Sequence, residues 1–170
     1  MKPLVFNATP LIYITKVRLS KVLEGFKDEK LTSPHVKKEV VDEGKRKGIP
    51  DAAILDGIFQ NNVFEVAEPE NRKFLASLLE TKGLHLTDAE VLVIARERDG
   101  IAIIDDEVAR KTAKIYGISY AGTTYVLMKA VVQRMITKER AKQAINEMIS
   151  AGWRCSIESY TKFIETIEKI

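Results

Sequence analysis

Two short runs in this chain, Leu4-Val5-Phe6 and Ile101-Ala102-Ile103-Ile104, are apolar throughout, and each stops on an oxygen-bearing side chain, Asn7 in the first and Asp105 in the second. An apolar run without period-two alternation is a strand buried on both faces, and such strands belong to parallel sheets covered by helices on either side. Ligands of open α/β sheets collect at the carboxyl ends of the strands, so the residues that close these runs are the first place to look for chemistry.

The rest of the chain alternates in the same way. From Pro10 to Phe26 the apolar residues recur at helical spacing with a break near Leu19-Ser20, which predicts two short helices. A brief strand at Leu31-Thr32 leads into Ser33-Pro34, a cap followed by a first-turn proline, opening a helix to about Lys45. A helix over Asp51–Phe59, a strand around Val63–Val66 and a helix from about Glu70 to Glu80 follow. Leu86 opens a helix to about Arg98, Gly100 stops it, and the Ile101–Ile104 strand follows. A helix over Glu107–Tyr116, a strand at Ile118–Ala121 and helices over Tyr125–Met135, Thr137–Ser150 and Ser156–Ile167 complete the chain. The pattern predicts a three-layer α/β/α sandwich with a mainly parallel central sheet. Residues 1–170 read as a single domain, with the helices of 137–170 packed on it or forming a dimer surface.

Composition narrows the possibilities. With 170 residues and 45% hydrophobic content the chain can build a core without disulfides or a structural metal. Cys155 is the single cysteine, which excludes an internal disulfide framework and a cysteine-rich zinc site and suits a reducing cytoplasm. The N-terminal segment has no signal-peptide pattern, and no stretch approaches the roughly 18 apolar residues that a membrane helix needs. The expected location is the cytoplasm. A formal charge of +3 permits nucleic-acid binding without requiring it. Its distribution is more informative: Lys37, Lys38, Lys45, Arg46 and Lys47 form one basic stretch, and Arg110, Lys111 and Lys114 form another directly after Asp105-Asp106-Glu107. Cations beside carboxylates can hold phosphates that flank an acidic centre; solvated helix faces are the plainer reading of each cluster.

Four oxygen-bearing positions can meet at one sheet edge. Asn7 and Asp105 close strands, Asp88 stands in the first turn of the helix that precedes the Ile101 strand, and Glu39 lies one turn inside the helix after the Leu31 strand. Three of these also have a structural explanation. Asn7 is a good helix cap, Asp88 compensates a helix dipole, Thr87-Asp88-Ala89-Glu90 matches a capping box that gives Glu90 a structural role, and Asp105 or Asp106 can cap the next helix. Glu39 has no capping role to fill, although a solvent-facing helical glutamate is its ordinary reading. His35 and His85 read as helix-start or surface residues.

The segments NATPLIYITKV, PHVKKEVVDEG, LTDAEVLVIARERDGIAIIDDEVARKTAKIYGI and YAGTTYVLMKA, in this order and spacing, resemble the PIN-domain family, in particular its prokaryotic VapC-like toxin branch. The resemblance spans about residues 3–130. It implies a metal-dependent endoribonuclease in which carboxylates from these blocks bind Mg²⁺ or Mn²⁺. Matched block by block, the acidic positions fall on Asn7, Glu39, Asp88 and Asp105 or its neighbour Asp106, with Thr9 and Thr123 in supporting places. Glu39, Asp88 and Asp105 are the implied catalytic residues, and Arg110, Lys111 and Lys114 the implied RNA phosphate contacts. The usual first-strand Asp is Asn7 here, which removes one negative charge but keeps a carbonyl oxygen that a hard cation accepts. The resemblance further implies single-stranded RNA as substrate, a homodimer and a small antitoxin protein as partner. Two other readings stand beside it: a PIN-fold module that binds RNA or protein with weakened catalysis, and a different metal-dependent phosphohydrolase.

Overall fold

The computed structural model describes every residue from Met1 to Ile170. Five strands, β1 (Leu4–Phe6), β2 (Lys30–Thr32), β3 (Glu65–Val66), β4 (Ile101–Ile103) and β5 (Tyr120–Ala121), form one sheet in the order β3-β2-β1-β4-β5. Every neighbouring pair is parallel: Val5 is in register with Leu31 on one side and Ala102 on the other. The most apolar runs thus occupy the sheet centre, where both faces are covered, and β1 is buried at all three residues. The strand predicted over Val63–Val66 contracts to its last two residues, both exposed at the sheet edge.

Helices α1 (Ala8–Lys16), α2 (Ser20–Gly25), α3 (Pro34–Lys37), α4 (Gly44–Arg46), α5 (Pro50–Gln60), α6 (Arg72–Leu79), α7 (Leu86–Glu97), α8 (Glu107–Ile115), α9 (Thr123–Val132), α10 (Lys138–Ser150) and α11 (Ile157–Lys169) make the outer layers. Helix α7 packs on β1 and β4 with α6 and α8 beside it, while α1 contacts α5 and α9, and α9 contacts α10 and α11. The α/β/α expectation therefore holds. No helix is long and apolar enough to cross a membrane.

The predicted helix from Pro34 to Lys45 is present but not uniform. Between α3 and α4 the residues Lys38–Glu43 form a π-helical segment that carries Glu39 and buries Val40 and Val41. Such widened turns are rare and frequently stand at functional sites. Ser33 caps this unit by accepting from the Val36 amide at 3.2 Å, with Pro34 in the first turn as its sequence suggests. One cluster of 46 buried hydrophobic residues runs from β1 through α7 to Phe163 and Ile167 of α11. Helices α10 and α11 thus contribute side chains to the same core as the sheet.

Candidate functional site

The carboxyl ends of β1 and β4 open into a cleft of about 470 Å³ lined by Asn7, Thr9, Glu39, His85, Asp88, Asp105 and Asp106, with Ala8, Leu86 and Thr87. Its floor is set by the strand ends. The Asn7 amide donates to the Ile103 carbonyl at 3.1 Å, and the Thr32 hydroxyl donates to the Phe6 carbonyl at 2.7 Å, so the last turn of β1 is fixed by both neighbouring strands.

Asn7 does two things at once. Its Oδ1 accepts from the Ala8 amide at 2.8 Å, which is the helix cap expected for it, and its Nδ2 donates to Asp88 Oδ1 at 2.6 Å. The other carboxylate oxygen of Asp88 accepts from the backbone amide of His85 at 3.1 Å, so Asp88 itself supplies the carboxylate that reaches back to the start of α7. The capping box expected at Thr87–Glu90 is therefore displaced by two residues. Glu90 is instead buried between α7 and α3, where its Oε1 meets His35 Nδ1 at 2.7 Å. A glutamate enclosed in the apolar run Ala89–Ala95 was bound to face inward, because a helix with buried residues on both flanks leaves it no route to water.

Asp105 and Asp106 separate in direction. Asp105 Oδ1 accepts from the Thr123 amide at 2.8 Å, and its Oδ2 accepts from the Thr123 hydroxyl at 2.5 Å and from Trp153 Nε1 at 3.0 Å. These donors tie Asp105 to the N-terminus of α9 and to the α10–α11 loop. Asp106 is exposed, and its Oδ1 caps α8 by accepting from the Ala109 amide at 2.8 Å. Trp153 had no local signal in the sequence, since its partner lies 48 residues away.

Electrostatics distinguish this cleft from an ordinary surface. Burial pushes the Asp88 carboxyl above its usual range, and the Asp106 charge pushes in the same direction, while hydrogen bonds from the His85 amide and Asn7 oppose them. The Glu39 carboxyl is also raised, by desolvation against the cleft wall first and then by the charges of Glu43 and Asp88. No Lys or Arg forms an ion pair with Glu39, Asp88, Asp105 or Asp106. Four acidic side chains thus share a concave site at the sheet edge without a cationic partner.

A family model described as a PIN domain, DUF3368, matches residues 3–169. The chain belongs to the PIN-domain family. No curated protein matches it. PIN domains have a nuclease fold and are generally metal-dependent ribonucleases, which agrees with an acidic cleft at the carboxyl ends of a parallel sheet.

The donor set of this PIN domain suits a hard divalent cation, because carboxylate and amide oxygens are the ligands Mg²⁺ and Mn²⁺ prefer. The raised carboxyls of Glu39 and Asp88 point the same way: burial first, and neighbouring acids second, disfavour their charged forms, and a bound cation would offset both. No three of the acidic or histidine side chains converge on one point. A cation that keeps much of its water does not require such convergence.

The basic residues after Asp106 divide. Lys111 and Lys114 are exposed on α8, Lys111 pairing with Glu107 at 2.6 Å, whereas Arg110 is half-buried over the Tyr120 ring at 5.9 Å. In the other basic stretch Lys45 pairs with Asp56, and Lys37 lies 5.6 Å from the centre of the Phe59 ring. Cys155 is half-buried rather than enclosed.

Proposed function

We propose that this chain is a metal-dependent endoribonuclease that hydrolyses phosphodiester bonds of single-stranded RNA in the cytoplasm. The observation that carries the reading is the buried, charge-stressed Asp88 beside Glu39 and Asp106 in a cleft free of cationic partners. When bound, Mg²⁺ or Mn²⁺ supplies Lewis acidity and neutralises charge on the phosphodiester oxygens. Asp88 and Asp106 would hold the cation, and Asn7 keeps the Asp88 carboxylate oriented through its 2.6 Å hydrogen bond. Asp105, locked by Thr123 and Trp153, completes the acidic wall with one coordination position left on its oxygens.

Glu39, exposed to solvent yet with increased proton affinity, takes the proton from the attacking water onto its carboxylate. The water oxygen bonds to phosphorus, the opposite P–O bond breaks, and the leaving oxygen takes a proton from solvent. The Thr9 hydroxyl, half-buried in the cleft wall, orients water. Lys111 and Lys114 hold flanking phosphates, with Arg110 behind them. Residues 1–170 act as one domain. The VapC-like sequence blocks support a toxin of a toxin–antitoxin pair, acting as a homodimer and silenced by a small protein that covers the cleft.

The decisive assay is cleavage of a mixed single-stranded RNA pool with Mn²⁺ or EDTA, beside Asp88→Ala shown to be folded by circular dichroism. Cleavage is expected to need both the metal and Asp88, with a loss of about 10²-fold or more in the variant. Metal-independent cleavage, or full activity in Asp88→Ala, would overturn the assignment. A second reading, an RNA-binding module with weakened catalysis, is favoured by the amide at Asn7 and by the lack of a convergent acidic triad. It predicts RNA binding without cleavage.

A further inference from the structure

Beside the acidic cleft lies a second recess of about 270 Å³ that shares Thr9, Asp105 and Asp106 with it. Its outer wall is made by Tyr13 of α1 and by Gly152, Trp153 and Arg154 of the loop between α10 and α11. Tyr13 is half-buried, and Arg154 is exposed without an ion-pair partner on the chain. That leaves a guanidinium free at the rim of a recess that opens on the acidic cleft, where it can meet a phosphate. Gly152 turns the loop at a φ of +99°, a backbone conformation that favours glycine, and its Cα side lies next to the Tyr13 hydroxyl, 3.8 Å from where a Cβ would stand.

We propose that Tyr13 and Arg154 form a subsite for the nucleotide next to the scissile phosphate, with the base against the Tyr13 ring and its phosphate on Arg154. The inference rests on the reading of the adjoining cleft as the RNA-cleaving site. The chemistry selects single-stranded RNA, since a base held in a duplex cannot present its face to a tyrosine inside a recess of this size. Trp153 keeps the subsite in register with the cleft, because the same loop that presents Arg154 donates to Asp105 through the indole. The loop is therefore part of the substrate site as well as a connection between two helices.

The test is fluorescence anisotropy of a short labelled single-stranded RNA and of its duplex, in Ca²⁺ and in EDTA, at several salt concentrations. Arg154→Ala is expected to weaken single-strand binding about 5- to 10-fold and to lower the salt slope by about 0.7, the value of one phosphate contact on a single strand. Arg154→Lys should restore most of that loss. Tyr13→Leu, which keeps an apolar side chain against the core, should weaken binding about tenfold without changing the salt slope. Unchanged affinity and slope in both variants, or no RNA binding by the unmodified protein in either condition, would overturn the subsite. Cleavage in Mn²⁺, measured separately, decides the other question: intact cleavage with no dependence on Arg154 or Tyr13 removes the subsite alone. Binding that depends on them with no cleavage removes the nuclease reading, and with it the scissile phosphate, and leaves Tyr13 and Arg154 as contacts of an RNA-binding surface only.

Discussion

At Asn7 an amide closes the first strand, and the structure gives that amide a partner, Asp88, at 2.6 Å. Replacing it by Asp would set two buried carboxylates against each other in a site whose acids are already held above their usual range. Asn7→Asp is therefore expected to cost the metal-free protein about 1–3 kcal/mol, the loss of a hydrogen bond to a charged group. The loss should shrink as the pH is lowered and the pair comes to share a proton, and on adding Mn²⁺; thermal melts in each condition check this. A variant as stable as the parent at neutral pH without metal would show that the Asn7–Asp88 bond does not hold the site. Glu39 makes the complementary prediction. Its carboxyl is raised in the folded state, so its contribution favours folding below the ordinary glutamate range and is lost as pH rises through the folded value. Glu39→Gln should thus stabilise the metal-free protein at neutral pH, by about 0.5 kcal/mol once solvent screening is allowed for. That is a rise of about 1–2 °C in Tm for a chain of this size, with RNA cleavage falling.

At the scale of elements, the junction of β4, α8, β5 and α9 contains a close approach at Gly122. A Cβ at Gly122 would meet Arg110 Nη2 at 2.7 Å and Asp105 Oδ1 at 2.8 Å. Its φ of −115° is open to any residue, so space alone demands glycine there. Gly122→Ala should cost about 1–3 kcal/mol as an overpacking change and should lower cleavage by displacing Asp105. An unchanged Tm would mean that Arg110 swings away freely, and that its seat over Tyr120 is incidental. Of the strands at this junction β4 was legible from sequence because double burial erases alternation, whereas β5, exposed at Tyr120, was bounded by Gly117 and Gly122; the helices were legible because their apolar spacing survives into the fold. Other features left no local mark. The π-helical turn at Lys38–Glu43 keeps Val36, Val40 and Val41 inward, so the spacing reads as an ordinary helix. The divergence of Asp105 from Asp106 depends on an extended backbone at Asp106 and on donors from α9 and Trp153. Such tertiary contacts lie outside any local pattern. Glu90 belongs with these: burial of an acid is permitted by a partner, and its partner His35 lies 55 residues away in sequence.

On the scale of the whole molecule, helices α10 and α11 bear on stability and on the site together. Ile145, Met148, Trp153, Phe163 and Ile167 belong to the same buried cluster as the strands. Burial of a large apolar side chain contributes about 1.5–3 kcal/mol, so five of them contribute roughly 8–15 kcal/mol before chain entropy is counted. Net stabilities of domains are about 5–15 kcal/mol. Ending the chain after Ile136 removes all five side chains and uncovers Val126, Leu127 and Val131 of α9, which are buried beneath them. It also removes the Trp153 donor from Asp105. A truncated chain of residues 1–136 is therefore expected to lose cooperative unfolding and to bind hydrophobic dye, whereas the single change Trp153→Phe keeps an aromatic ring in the core while removing the indole donor and part of the ring volume. Trp153→Phe should melt within a few degrees of the parent, at a cost of about 1 kcal/mol for the lost hydrogen bond. If the truncated chain instead melted cooperatively near the parent temperature, the C-terminal helices would be a separable layer, and the coupling of Asp105 to the core through Trp153 would be their main contribution to the site.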